Sequence, residues 1–346
     1  MALRFVEGFD WVPSTAKITY KWNSYDSSAF PGLAAGRFGG QYWGMAPRSI
    51  APGLSKTLTA QATWVIGFAW QLKNMPLTTN SLCLVSLQDG GTVHVDLRVI
   101  ASGFLRLYNG DGSTIATSAN SVAINTWYYV ELKVTIGDAG VGQYELRVNG
   151  TSVGWLPSAG GDTRNGGNPT ADTIVLGRYS SSSTTYGEWF DDLYMADGQA
   201  GINDFLGDSR VQVLLPNGAG DYTNFTASPA VANYLNTDET LVDDDTTYNY
   251  SSTVGHKDAY EMSNLAAGYT IHAVAANTIV KKSDAGARTC RVLARSAADV
   301  DYNGNTESPS AASYLNFQKA WETNPAGGAW DANDLNLYQF GVEVVA

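Results

Sequence analysis

The stretch from Ser121 to Gly154 constrains the fold more than any other part of the chain. Tyr129-Val130-Glu131-Leu132-Lys133-Val134 and Gln143-Tyr144-Glu145-Leu146-Arg147-Val148 each change character with period two, the mark of paired, half-buried strands. Gly137-Asp138-Ala139-Gly140-Val141-Gly142 supplies turn chemistry between them, and Asn149-Gly150 closes the second strand with the dipeptide that best tolerates positive φ. A hairpin therefore runs straight into another. Its residues read as structural, with Trp127 and Leu132 in the core and Glu131 and Lys133 in solvent.

The same alternation continues on both sides. Leu3 to Asp10, Ile18 to Trp22, Leu82 to Gln88, Thr92 to Val99, Gly103 to Tyr108, Thr173 to Gly177 and Gly187 to Met195 read as strands. Thr63 to Trp70 is apolar on both faces and reads as a central strand. Ser27 to Pro52 is rich in Gly, Pro and Ala and reads as a loop carrying Tyr42 and Trp43; Tyr179 to Tyr186 reads as a Ser/Thr-rich loop. No long window shows helical periodicity, so the fold class is an all-β sandwich. With 19 Tyr, 10 Trp and 36 Gly but only 16% charged residues, the composition agrees.

At 346 residues the chain is long enough for two domains. A break near residue 207 separates 13 basic and 16 acidic side chains in 1–207 from 8 basic and 17 acidic in 208–346. The net charge of -12 argues against nucleic acid as a partner. No apolar run is long enough for a membrane span, and the N-terminus lacks a basic region followed by an apolar core, so no signal peptide is expected. Cys83 and Cys290 read as buried and reduced, a disulfide between them being the alternative.

Trp127-Tyr128-Tyr129-Val130-Glu131-Leu132, then Tyr144 to Gly150, then Ile174-Val175-Leu176-Gly177, then Trp189-Phe190-Asp191-Asp192-Leu193-Tyr194 resemble, in order and spacing, the concanavalin A-like, laminin-G-like jelly rolls. The resemblance covers about residues 1–205 and implies a jelly-roll sandwich over 1–207. In 208–346, strands are read at Tyr269 to Ala276, Thr289 to Arg295 and Phe340 to Val345, with a short helix near Asn333 to Tyr338 capped by Asp331 or Asn333. The run from Phe205 to Asp221 and the ending from Asn324 to Val344 resemble the C-terminal domains of tailed-bacteriophage virion proteins. That resemblance implies a mainly β domain for attachment or oligomerisation.

The search for chemistry is largely negative. Glu188, Asp191 and Asp192 are spaced E-x-x-D-D, whereas glycosidases on this sandwich resemble E-x-D-x-x-E, with alternate acids facing the cleft. No nucleophile elbow, phosphate loop or zinc set is present. The chain is therefore read as not an enzyme. Asp191 and Asp192 are the named metal candidates, since calcium wants several loop oxygens, with Asp89 and Asp111 as further donors. No other cofactor is expected. Asp243-Asp244-Asp245 reads as a solvated turn. Tyr42, Trp43, Tyr179 and Tyr186 are the ligand-binding candidates, because a ring in a loop can stack on a sugar.

These readings order three functions. The first is a bacteriophage virion structural protein (capsid decoration, head fibre or tail component), made in the host cytoplasm and contacting other virion proteins and copies of itself. The second is a carbohydrate-binding lectin on the particle that recognises a host-surface glycan. The third is a glycoside hydrolase.

Overall fold

A computed structural model describes residues 2–26, 30–32, 36–45, 53–77, 80–179, 187–199 and 201–346. The chain divides into two compact units, Met1–Phe9 with Ser14–Val211, and Asp10–Pro13 with Gln212–Ala346.

The first unit is an antiparallel β-sandwich. Its strands are β1 (Leu3–Glu7), β2 (Phe30–Gly32), β3 (Tyr42–Met45), β4 (Leu54–Gln61), β5 (Thr63–Leu72), β6 (Ser81–Asp89) and β7 (Thr92–Ile100). They continue as β8 (Phe104–Asn109), β9 (Thr114–Ser121), β10 (Trp127–Thr135), β11 (Gln143–Val148), β12 (Thr151–Gly160), β13 (Ala171–Tyr179) and β14 (Glu188–Ala196). One sheet has eight strands in the order β12-β11-β10-β5-β14-β3-β2, with β1 also on β14. The other has six, in the order β4-β13-β6-β7-β8-β9.

The hairpin anticipated from the alternation is present. β10 and β11 pair Val130 with Val148 and Leu132 with Leu146, and Asn149 and Gly150 take φ of 51° and 78° in the turn that follows. The Asn149 side chain also accepts from Tyr129 N at 2.8 Å, which fastens the turn to the neighbouring strand. Cross-strand partners share a face, so Val130 and Leu132 of β10 point inward with Phe68 and Ile66 of β5. On the six-stranded sheet Val85, Leu97, Leu107 and Ile174 are buried as well. Trp64 and Trp70 are wholly buried, and each indole N–H has an acceptor, Ala171 O at 2.8 Å and Glu188 Oε1 at 3.0 Å.

Several local expectations are corrected. Thr15–Tyr20, which overlaps the strand expected at 18–22, is a 3-10 turn held by Lys17 N to Ser14 O and Lys21 N to Ile18 O, and it buries only Ile18. Tyr42–Met45 is a strand rather than part of a loop, because β14 offers it a pairing edge. Trp127 and Trp189 are half-buried. Glu131 is not in solvent: it is 0% exposed, and its Oε1 accepts from Tyr194 Oη at 2.7 Å and from Leu206 N and Gly207 N at 2.9 Å each. The segment after β14 folds back over this part of the sheet, so the face that alternation marks as wet is covered. Gly67 stands opposite Tyr194, where any Cβ would overlap the Tyr194 ring.

The second unit has a five-stranded sheet and two separate ladders. In chain order its strands are β15 (Pro216–Thr223), β16 (Thr226–Ser228), β17 (Tyr248–Tyr250), β18 (Lys257–Met262), β19 (Val274–Val280), β20 (Cys290–Arg295), β21 (Asp301–Asn303), β22 (Leu315–Trp321) and β23 (Gln339–Val344). The sheet runs β15-β18-β23-β20-β21, and the ladders are β16-β17 and β19-β22. Val292, Ala294, Trp321, Trp330, Leu335, Tyr338 and Phe340 form its core. The helix is Ala332–Leu335, capped by Asp331, whose carboxylate accepts from Asp334 N at 2.8 Å. The strand expected from residue 269 begins only at Val274. Cys83 and Cys290 are both buried and free.

Candidate functional site

The outer face of the six-stranded sheet collects the polar side chains that alternation excludes from the core. On β7, Val95, Leu97 and Val99 are buried with 0% exposure, which turns His94, Asp96 and Arg98 to the other face. On β8, Leu105 and Leu107 point inward, and Arg106 and Tyr108 point outward. Register then lines up the charged groups. Arg178 of β13 stands opposite Cys83 of β6, Cys83 opposite Arg98 of β7, Arg98 opposite Arg106 of β8, and Arg106 opposite Thr117 of β9. Three guanidiniums thus share one row across the strands.

A bulge sets this row. The β6 register shifts between Cys83 and Val85, leaving Leu84 extra relative to β7. Gly177 lies beside it on β13 at φ 65°, where a Cβ would meet Met45 Cγ at 2.6 Å.

Asp96 anchors the centre. Its Oδ2 lies 2.5 Å from Arg98 Nη2, 3.2 Å from Arg98 Nε and 3.9 Å from Arg178 Nη1. Burial works against the Arg98 charge, but the Asp96 carboxylate more than offsets it and the guanidinium pKa rises. Arg98 lies over the Tyr108 ring at 4.7 Å. Arg106 donates from Nη1 to Tyr108 Oη at 3.2 Å and from Nε to Thr117 Oγ1 at 3.0 Å. Beside Arg106 and Tyr108, a cleft of about 550 Å³ is lined also by Asn80, Ser81, Ile100, Ala101 and Ser102. Burial, then the Asp96 charge, pushes the Cys83 thiol well up, so it stays protonated and is no nucleophile.

His94, on the same face, fastens the segment that follows β12. Its Nδ1 accepts from Asn165 N at 3.1 Å, so Nε2 carries the proton and donates to Thr170 O at 3.0 Å. Burial lowers its pKa. A depressed folded pKa means that this contribution is present above the unfolded value of about 6.5 and is lost as pH falls through the folded one. Amide exchange across residues 161–170 should accelerate, beyond the intrinsic change, between about pH 7 and pH 5. A His94→Leu variant should show no such pH step; an equal step there would remove His94 as the cause.

The residues named from sequence are spread differently. Trp43 is 0% exposed and points into the core, 6.2 Å from Phe9 in a stacked arrangement, so it is corrected from ligand candidate to packing residue. Tyr42 lies on the outer face of the eight-stranded sheet, stacked 4.0 Å from Trp189, with only 7% exposure. Lys73 Nζ sits 3.7 Å from the same Trp189 ring. Tyr179 ends β13 next to Arg178, opposite Leu82; Tyr186 lies outside the described residues.

Asp191 and Asp192 come together at a bulge in β14, with Asp192 at φ 49°. Asp191 Oδ2 accepts from Arg37 N and Asp192 Oδ1 from Val211 N, both at 2.8 Å, and Arg37 Nη1 is 3.6 Å from Asp192 Oδ2. Among the described residues no group of three or more His, Cys, Asp or Glu converges as a metal set. Sequence reasoning missed Arg98, Arg106, Arg178 and Tyr108. The signal lay in Asp96-Leu97-Arg98 and Arg106-Leu107-Tyr108, two alternating charged strands joined by a short turn.

No family model matches the chain, and no curated protein matches it in sequence. Solved structures share its β-sandwich fold. An endo-β-1,4-glucuronan lyase from the fungus Trichoderma reesei is 11% identical with a TM-score of 0.40, covering 51% of this chain and 90% of its own. Alginate lyase Aly36B, in complex with alginate trisaccharide, is 8% identical with a TM-score of 0.41, covering 57% and 98%. Cellulose induced protein Cip1 is 15% identical with a TM-score of 0.38, covering 56% and 94%. The likeness is one of fold. Two of the three are named as lyases; the expectation of a chain that is not an enzyme is withdrawn. None of the three is named as a virion protein or a laminin-G domain.

Proposed function

We propose that the sandwich unit binds an acidic polysaccharide of the uronate type on the outer face of its six-stranded sheet. The observation that carries this reading is the row of Arg178, Arg98 and Arg106, with Tyr108 beside it. Guanidiniums offer paired N–H donors that match carboxylates, and a phenol ring offers a sugar a flat apolar face. The location adds weight, because a patch with three cations and one anion stands on a chain of net charge -12. Affinity electrophoresis in polyuronate gels tests the reading. Retardation that weakens with salt and disappears in the carboxyl-reduced, neutral polymer is expected, and equal retardation in both polymers would overturn it.

A second reading is favoured by the hydrogen bond between Tyr108 and Arg106. With a uronate carboxylate neutralised by a guanidinium, the C5 proton becomes acidic enough for transfer to a base, with Tyr108 Oη as the candidate acceptor. The C4–O bond then breaks, a C4=C5 double bond forms, and the departing oxygen takes up a proton. Ultraviolet absorbance of the unsaturated product should rise with the wild-type chain and stay flat with Tyr108→Phe; equal rates would remove this role.

A place on a virion, and contacts with virion proteins and further copies, are proposed from the resemblance of residues 205–346. Glycan recognition on a host surface would then be the task of the sandwich. Mass spectrometry of purified particles tests the location, and absence of the chain from them would refute it.

A further inference from the structure

The three guanidiniums of the row are not equivalent. Arg98 gives both Nε and Nη2 to Asp96, whose side chain is 2% exposed. Drawing Arg98 onto a ligand would strip a buried carboxylate of its closest cation, which is strongly unfavourable. Arg178 is 3.9 Å from the same carboxylate, at the edge of pairing, and its side chain is 38% exposed. Among the described residues, Arg106 is bonded to the neutral hydroxyls of Thr117 and Tyr108. From β13 through β6 and β7 to β8 there are three strand spacings, or about 14 Å.

We infer that Asp96 withdraws Arg98 from ligand binding, and that Arg178 and Arg106 hold the carboxylates of an extended acidic oligosaccharide lying across the strands. This rests on the acidic-glycan reading above and adds the ligand's minimum length and direction. Arg98, stacked on Tyr108, forms the floor between the two anchors, and Asp96 is a positioning residue. A single sugar acid reaches one anchor only.

Calorimetry with oligoglucuronates and oligogalacturonates, from monosaccharide to hexasaccharide, tests this on the full chain. Affinity should rise steeply, by about tenfold or more, once the oligomer spans both anchors, as expected for one added charge-assisted contact. Arg178→Gln and Arg106→Gln should each abolish that step and leave the long oligomers no tighter than the short ones. Asp96→Asn, which keeps the side-chain shape, should steepen the salt dependence by about one charge as Arg98 becomes available. Unchanged melting temperatures exclude misfolding as the cause. A monosaccharide as tight as the hexasaccharide, a step that survives Arg178→Gln, or an unchanged salt dependence in Asp96→Asn would each overturn the inference while leaving the acidic-glycan reading in place. No binding of any uronate by the wild-type chain would end both.

Discussion

Replacing Trp70 by alanine is expected to lower the unfolding free energy by about 3–5 kcal/mol, the usual cost of deleting a large buried aromatic side chain. Trp70 is 0% exposed in the central strand β5, and its indole N–H is the donor that Glu188 Oε1 accepts at 3.0 Å. Truncation opens a cavity between the sheets and takes that donor from a carboxylate that is itself 0% exposed. The urea midpoint followed by tryptophan fluorescence should fall at unchanged slope. A loss below about 1 kcal/mol would show that the sandwich collapses around the gap.

Glu131→Ala is the second large effect. It leaves Leu206 N, Gly207 N and Tyr194 Oη without the acceptor they share, at a cost of roughly 3 kcal/mol or more if each lost partner costs about 1 kcal/mol. Amide exchange should report the change at Leu206 and Gly207 first; protection there that equals the wild type would refute the clasp. Burial raises the Glu131 pKa above its ordinary 4.5. Its contribution is therefore complete below the unfolded value and declines as pH rises through the folded one. Relative to Glu131→Gln, the wild-type chain should gain stability on acidification through that window, and no relative change would count against a raised pKa.

The sandwich was legible because alternation is a direct record of which face is buried. The β5 run from Thr63 to Trp70 and the β10–β11 hairpin were read from that pattern and are where it placed them. Alternation does not say what covers a second face. Alternation puts Glu131 and Lys133 together on the face opposite the core, in solvent, yet the chain from Asp204 to Val211 returns over Glu131 through bonds of high sequence separation. Nor does alternation survive a bulge. Asp191 and Asp192 should point apart in a regular strand; the left-handed turn at Asp192 brings both carboxylates to Arg37. The arginine row escaped notice for a related reason. Arg98, Arg106 and Arg178 are far apart in sequence and meet only through the register of four strands.

The extra residue at Leu84, with Gly177 beside it, also decides how this surface can change. Side-chain direction in a strand is a parity that a bulge resets, and the extra residues Leu84 and Gly177 answer one another across β6 and β13. Deleting Gly177 alone would leave Arg178 facing outward but leave the Leu84 bulge unmatched, so the pairing of Arg178 with Cys83 would slip and one lost codon would displace an anchor without touching any residue that binds. Point substitution can tune the outer face gradually, whereas single-codon length changes at these bulges act on it as a slip in register. Drift in these two strands should therefore proceed by replacement at fixed length.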